Sequence, residues 1–172
     1  MIETRRLRLR SMVPEDTEDL LAIFTDPRVM KSFGVPPFTR EQMTGWVKRN
    51  LAHQDEHGYG LFSVILKSEN RLIGDCGLEH MSLDGHDVVE LGYDLASQYW
   101  GQGLATEAAE AVRDYAFTAL DLRELVSLIQ IHNLASQRVS EKLGMRLQRK
   151  FSRSGREYVL YSITRKDGQQ SP

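Results

Sequence analysis

Gln98-Tyr99-Trp100-Gly101-Gln102-Gly103-Leu104-Ala105 sets two glycines one residue apart between a strand-like run and a helix-like run. The run before it is Val88-Val89-Glu90-Leu91-Gly92-Tyr93-Asp94-Leu95. After it, Leu104, Ala105, Ala108, Ala109, Val112, Tyr115, Ala116 and Ala119 recur at three- and four-residue spacing, the period of an amphipathic helix. A glycine-rich turn opening a helix presents unpaired backbone N–H groups and the positive end of the helix dipole. Such a turn is built to hold an anion, above all a phosphate.

Two familiar phosphate loops do not fit. A P-loop requires Lys and then Ser or Thr after its last glycine, where this chain has Leu104 and Ala105. The dinucleotide fingerprint requires a third small residue at the position of Thr106 and belongs to the first unit of a parallel βαβ array, whereas this loop lies past mid-chain. No Gly-x-Ser-x-Gly elbow supports a hydrolase.

A second motif follows the strand-like run Leu125 to Ile131: Asn133-Leu134-Ala135-Ser136, continuing into Ser140-Glu141-Lys142-Leu143-Gly144-Met145. Asn133 is placed to cap a short helix that Gly144 ends. Gln98-x-x-Gly101-x-Gly103-x-Ala105 followed by Asn133-x-x-Ser136 and Glu141-Lys142-Leu143-Gly144 resembles the acetyl-CoA signature of the GNAT N-acetyltransferases. Thr4-Arg5-Arg6-Leu7-Arg8-Leu9-Arg10 with Asp16, and Glu90-Leu91-Gly92-Tyr93, resemble the branch that includes the ribosomal-protein N-terminal acetyltransferases.

The resemblance implies acetyl-CoA as co-substrate, no metal, and an amine acceptor, either a protein N-terminus (ribosomal or other) or a small-molecule amine. It implies that Gln98, Gly101, Gln102, Gly103, Leu104, Ala105 and Thr106 surround the pyrophosphate. Pantetheine would insert between splayed strands along Tyr93, Asp94 and Leu95, with Asn133 bonding that arm. Many family members carry a Tyr seven residues after the Asn; this chain has Ser140 there. In the ribosomal-type branch a Ser three residues after the Asn assists the departing thiolate, and Ser136 matches it. A serine hydroxyl is too weak an acid to transfer its proton alone, so Ser136 would stabilise the thiolate or relay through water. A first-turn serine bonded to backbone is the structural alternative.

Composition sets the outer bounds. At 172 residues, 41% hydrophobic and 27% charged, the chain suits one globular domain over 1–172, with 167–172 as a frayed tail. A net charge of −2 gives no drive toward nucleic acid, and no apolar stretch is long enough to span a bilayer. The lone Cys76 cannot form an internal disulfide, and charged residues stand where a signal peptide would, which together lead to an expected cytoplasmic location. The chain is expected to act as a monomer or homodimer.

Elsewhere the pattern is legible in pieces. Arg6 to Arg10 alternate as a strand, Pro14 to Phe24 read as a helix, and Val35-Pro36-Pro37-Phe38 forces a break. Thr39 with Gln42 suggests a capping box for a helix running towards His57. Leu61–Leu66 and Arg71–Leu78 read as a hairpin around Ser68-Glu69-Asn70, and a polar turn at Ser82–His86 leads to the next strand. The expected order is β-αα-βββ-α-β-α-ββ: one α/β domain with a mixed, mostly antiparallel sheet and helices on both faces. His53 and His57, four apart, read as solvated helix-end residues, because no third ligand accompanies them. Cys76 reads as a buried strand residue, and the basic run from Arg146 to Lys166 as a solvated strand face.

For the proton on the amine, Glu90 and Glu79 are the candidate bases: Glu90 lies near the middle of its strand on the face of Gly92 and Asp94 and is the one expected, whereas Glu79, at a strand end, reads as a surface residue. The acceptor is expected to enter as a cation beside Asp84, Asp87, Glu90 and Asp94, between the first two helices and the Ser82–His86 turn. A catalytically silent acyl-CoA-binding or regulatory module is the alternative to an enzyme.

Overall fold

A computed structural model describes residues 1–168. The chain runs β1 (Ile2–Glu3), β2 (Leu7–Ser11), α1 (Thr17–Phe24), α2 (Pro27–Phe33), α3 (Arg40–His57), β3 (Leu61–Leu66), β4 (Arg71–Leu83) and β5 (His86–Leu95). It continues through α4 (Leu104–Thr118), β6 (Glu124–Gln130), α5 (Leu134–Lys142), β7 (Arg146–Arg153), β8 (Arg156–Thr164) and a last helical turn, α6 (Arg165–Gly168). Asp167 and Gly168 end that turn; the remainder of the segment expected as a tail, 169–172, lies outside the described residues.

The strands form one sheet in the order β1-β2-β3-β4-β5-β6-β8-β7. Every neighbouring pair is antiparallel except β5 with β6. The α/β fold with a mixed, mostly antiparallel sheet and helices on both faces is therefore as expected. Leu7 and Leu9 point into the core while Arg8 and Arg10 stay half-exposed, the alternation that defines a strand with one buried face.

Helix α4 lays Leu104, Ala108, Ala109, Val112, Ala116 and Phe117 onto one face of the sheet, against Ile73, Leu78, Leu91 and Leu95. Burial of each Leu, Val or Phe in such a face contributes about 1.5–3 kcal/mol. On the opposite face α1, α2 and α3 pack Leu20, Phe24, Met30, Met43 and Val47 over Leu61, Ile65 and Leu72. The capping box at the start of α3 is formed: Thr39 Oγ1 accepts the Gln42 N–H at 3.2 Å, and Gln42 Oε1 accepts the Thr39 N–H at 2.8 Å.

Two local readings need correction. Helix α2 was not expected, although Asp26 caps it through the Arg28 N–H at 2.9 Å, Pro27 opens it and Gly34 closes it at φ 63°. Its seven residues are too few to show helical periodicity. The second correction is the turn after β4: β4 runs on to Leu83, β5 begins at His86, and only Asp84 (φ 53°) and Gly85 (φ 81°) turn the chain. An Asp-Gly pair with both residues left-handed joins the strands as tightly as a hairpin allows.

Candidate active site

The parallel pairing of β5 with β6 is confined to one rung, Glu90 opposite Val126. Side chains occupy the next positions: Leu128 donates its backbone N–H to Glu90 Oε1 at 3.1 Å, and Ser127 Oγ donates to the Leu91 carbonyl at 2.7 Å. Beyond them the strands diverge. β5 stays bound to β4 as far as Leu95, and β6 stays bound to β8 as far as Gln130. The facing edge of Tyr93, Asp94 and Leu95 is thus left without a strand partner.

The 3₁₀ turn Ser97–Tyr99 and the glycine loop follow β5. Gly101 and Gly103 sit at φ 74° and 76°, a conformation L side chains rarely adopt. No side chain caps α4 at Gly103, so its first-turn N–H groups remain open. The loop is fastened from β2's side. Glu107 of α4 accepts the Arg6 N–H at 2.7 Å and Thr4 Oγ1–H at 2.6 Å, while Arg6 Nη1 donates to the Gln102 carbonyl at 2.9 Å. This clasp gives the Thr4-Arg5-Arg6 stretch a physical role.

Between the end of β5, the glycine loop and α5 lies a cleft of about 310 Å³. Of the residues assigned to the cofactor from sequence, Tyr93, Asp94, Leu95, Gly101, Gly103, Leu104, Ala105, Thr106, Asn133 and Ser136 line it. Gln98 and Gln102 do not; they face a separate hollow with Arg5, Arg6 and Arg71. Open amides, two glycines without Cβ, an edge without a strand partner and the cations Arg138 and Lys142 fit a long anionic ligand with an amide-bearing arm. Acetyl-CoA is such a ligand.

Asn133 caps α5 by accepting the Ser136 N–H at 3.2 Å, and Tyr93 donates its hydroxyl to the Ser136 carbonyl at 3.2 Å. Both contacts set Ser136 against the end of β5. Burial pushes the Tyr93 hydroxyl pKa up, so it stays a donor. Ser140, in the position where many relatives carry Tyr, is buried with its Oγ unpartnered.

On the side of α1–α3 a second cavity, about 500 Å³, is lined by Glu79, Glu90, Gly92, Asp94, Arg153 and Arg156, among others. Its rim joins α2 to the β7–β8 hairpin: Arg156 donates to the carbonyls of Phe33 at 3.2 Å and Gly34 at 2.8 Å. Gly92 leaves the floor open between Glu90 and Asp94. Burial raises the Glu90 carboxyl to about 7; Glu79 pushes the same way, while the Leu128 N–H and Arg153 pull it down. Burial, with help from Glu79 and Glu90, likewise raises Asp94.

The acidic wall differs from the one expected. Glu90 and Asp94 belong to it, but Asp84 is drawn off into an ion pair with Arg149, and Asp87 projects toward His80 (3.9 Å) outside the cavity. Glu79 is exposed as expected, yet its exposure is to this cavity. Asp75 was not anticipated. It faces Asp94 across the β4–β5 ladder, 1% exposed, and its signal was a lone carboxylate among Ile73, Cys76 and Leu78. Arg153 and Arg156 are exposed, as the solvated-face reading has them, and they also line this cavity.

The histidines also differ from the reading. His53 is half-buried, with Nδ1 on the Tyr59 carbonyl at 2.9 Å and Nε2 accepting the His80 N–H at 2.8 Å. Cys76 is buried, and burial raises its thiol pKa. Among the described residues, no group of three or more His, Cys, Asp and Glu is placed to hold a metal ion, and no helix is long and apolar enough to cross a membrane.

Residues 6–146 match the model of the acetyltransferase (GNAT) domain. The chain is 33% identical over 159 residues to YkkB of Bacillus subtilis (strain 168), an uncharacterized protein, covering 92% of each. It is 32% identical over 141 residues to the uncharacterized N-acetyltransferase p20 of Bacillus licheniformis, covering 81% of this chain and 79% of p20. The crystal structure of a GNAT-family acetyltransferase from Bacillus anthracis superposes with a TM-score of 0.82 at 29% identity, over 96% of this chain and 98% of that one. The fold is shared, at TM-score 0.77 and 16% identity over 94% and 95% of the two chains, with RimL, a ribosomal L7/L12 α-N-protein acetyltransferase solved with coenzyme A. Sequence, fold and an anion-ready cleft agree: this chain belongs to the GNAT family and is an acetyl-CoA-dependent acetyltransferase.

Proposed function

We propose that the protein transfers the acetyl group of acetyl-CoA to a primary amine by direct attack in a ternary complex. The donor occupies the cleft between β5 and α5, and the amine enters through the carboxylate-lined cavity. One observation carries this reading: the two cavities share Ser32, Tyr93, Asp94, Asn133 and Ser136, so ligands approaching from opposite sides meet at those residues. Holding two reactants in attack geometry can supply roughly 7–11 kcal/mol.

Acetyl-CoA supplies an activated thioester. The Leu104–Thr106 amides hold its pyrophosphate, while Asn133 and the open edge of Tyr93, Asp94 and Leu95 hold its pantetheine arm. Ser136 supports the negative charge that develops on the departing sulfur. Protons leave the amine towards the acidic wall, where Glu90 and Asp94 are shifted up into a range in which a carboxylate can work as a base near neutral pH. That wall favours an acceptor that arrives as a cation, a protein N-terminus or a small-molecule amine.

Mixing the protein and acetyl-CoA with spermidine and with short peptides bearing free N-termini tests this. Amine-dependent release of thiol, with the acetylated amine identified by mass spectrometry, is expected. Acetyl-CoA binding without thiol release for every amine would overturn the reading in favour of a silent acyl-CoA-binding module.

A further inference from the structure

The geometry points to Asp94 as the catalytic base that takes the proton from the acceptor's ammonium, with Asp75 as its positioning partner and Glu90 holding β5 and β6 apart. This rests on the acyl-transfer reading above and names the group that acts within it.

Three carboxylates line the acceptor cavity, and of these Asp94 alone also lines the donor cleft. The nitrogen must lose its proton where it meets the thioester, so the base must stand where the two spaces join. Glu90 lies four residues back along the same strand, roughly 13 Å at the rise of an extended chain. Its Oε1 is already engaged by the Leu128 N–H, at the point where the β5–β6 ladder stops. Glu79 is the cross-strand neighbour of Glu90 and is equally remote from the junction.

Behind Asp94 stands Asp75, its direct partner in the ladder. Asp75 is 1% exposed, and its Oδ2 has no hydrogen-bond partner. Cross-strand partners have Cβ atoms about 4.5–5.5 Å apart, too close for two desolvated carboxylates to ionise together. Asp75, the more deeply buried, keeps its proton, and the shared charge resides on Asp94 at the cavity. Burial is the leading cause of the upward shift in both, and each is raised further by neighbouring carboxylates. A carboxylate so placed is more basic than one in water.

The step balances. One ammonium proton passes to an Asp94 carboxylate oxygen, and the freed nitrogen lone pair forms the N–C bond at the thioester carbonyl. The C–S bond then breaks, its electron pair leaves with sulfur, and the second nitrogen proton ends on the thiolate. Asp94 returns its proton to water through the acceptor cavity. The ionisable groups around Asp94 are Asp75, Cys76 and Glu79 of β4, Glu90 and Tyr93 of β5, Tyr99 before the glycine loop, Arg138 and Lys142 of α5, and Arg153, Arg156 and Tyr158 at the β7–β8 hairpin.

Two primary amines of similar size test the assignment: propylamine, a cation at neutral pH, and 2,2,2-trifluoroethylamine, which is largely neutral there. Propylamine-dependent CoA release by the unmodified protein checks the acyl-transfer reading, and absence of release with propylamine and with every amine and peptide named above would overturn that reading. Given release, Asp94→Asn should lower kcat/KM about a hundredfold or more with propylamine, but less than about tenfold with trifluoroethylamine. Glu90→Gln, which keeps an oxygen for the Leu128 N–H, should lower both by the same small factor.

Equal losses for both amines in Asp94→Asn, or an amine-dependent loss in Glu90→Gln, would overturn the assignment. Carbon-13 NMR of aspartate carboxyls gives a readout without turnover. The Asp94 resonance should titrate well above the ordinary aspartate range, and the Asp75 resonance should stay protonated throughout that transition. An Asp94 resonance that titrates in the ordinary range, or an Asp75 that ionises before Asp94, would overturn the dyad.

Discussion

Glu90 Oε1 accepts the Leu128 backbone N–H at 3.1 Å, beside the one rung at which β5 and β6 pair. A side chain here takes the place of a main-chain acceptor at the apex of the splay, so the strands can part without leaving that N–H unsatisfied. The carboxylate that reads from sequence as a candidate base thus also bridges the two strands where they part.

Glu90→Ala should therefore cost about 1–3 kcal/mol of stability, the penalty for an unpaired buried donor, while Glu90→Gln should cost much less. Denaturant melts of both variants check this. Equal destabilisation by Ala and Gln would show that the Leu128 bond contributes nothing.

Replacing Gly103 by Val should abolish CoA binding, because the added atoms stand where phosphate must approach backbone. It should also lower stability by about 1–2 kcal/mol, since Gly103 holds φ 76°. Gly144→Ala, at φ 81° after α5 and away from the glycine loop, separates strain from binding. It should melt lower yet keep its CoA affinity by calorimetry.

Asn133 and Ser136 should part in kinetics. Asn133→Ala removes the cap on α5 and should cost about 1 kcal/mol of stability as well as weaken acetyl-CoA binding. Ser136→Ala keeps its backbone N–H on Asn133, so its expected effect is a fall in kcat with KM for acetyl-CoA little changed. Retention of full turnover in Ser136→Ala would make Ser136 a structural serine.

His53 gives the fold a pH dependence. Burial comes first among the causes that lower its pKa, against the pull of the Tyr59 carbonyl and with the aid of His57 and His80. Both ring nitrogens are engaged, and Nε2 must stay unprotonated to accept the His80 N–H. The unfolded chain therefore binds this proton more tightly. The stabilisation is complete above the ordinary histidine range, about 6.5, and is lost as pH falls through it. Melts between mildly acidic and neutral pH should show this slope, and His53→Gln should flatten it.

Much of the molecule was legible in the chain. Gly101, Gly103 and Asn133 announce the cleft because their roles are local: a positive φ, an open helix start and a side chain that caps three residues on. Strand alternation at Leu7 and Leu9, and the helical period from Leu104 to Ala116, follow from local geometry in the same way. Helix α2 escaped because seven residues carry caps but too little periodicity.

The acceptor side was decided elsewhere. Which carboxylates share a cavity depends on strand register, and register is a relation between distant segments. Asp75 meets Asp94, and Glu79 meets Glu90, only because β4 and β5 pair in this alignment, whereas Arg149 of β7 removes Asp84. The sequence by itself determined the family, the glycine loop and the helix cap, the last two set by the conformational needs of neighbouring residues. Tertiary structure decided which carboxylates gather at the cavity and how far they are shifted, because desolvation and charge proximity exist only once the strands lie side by side.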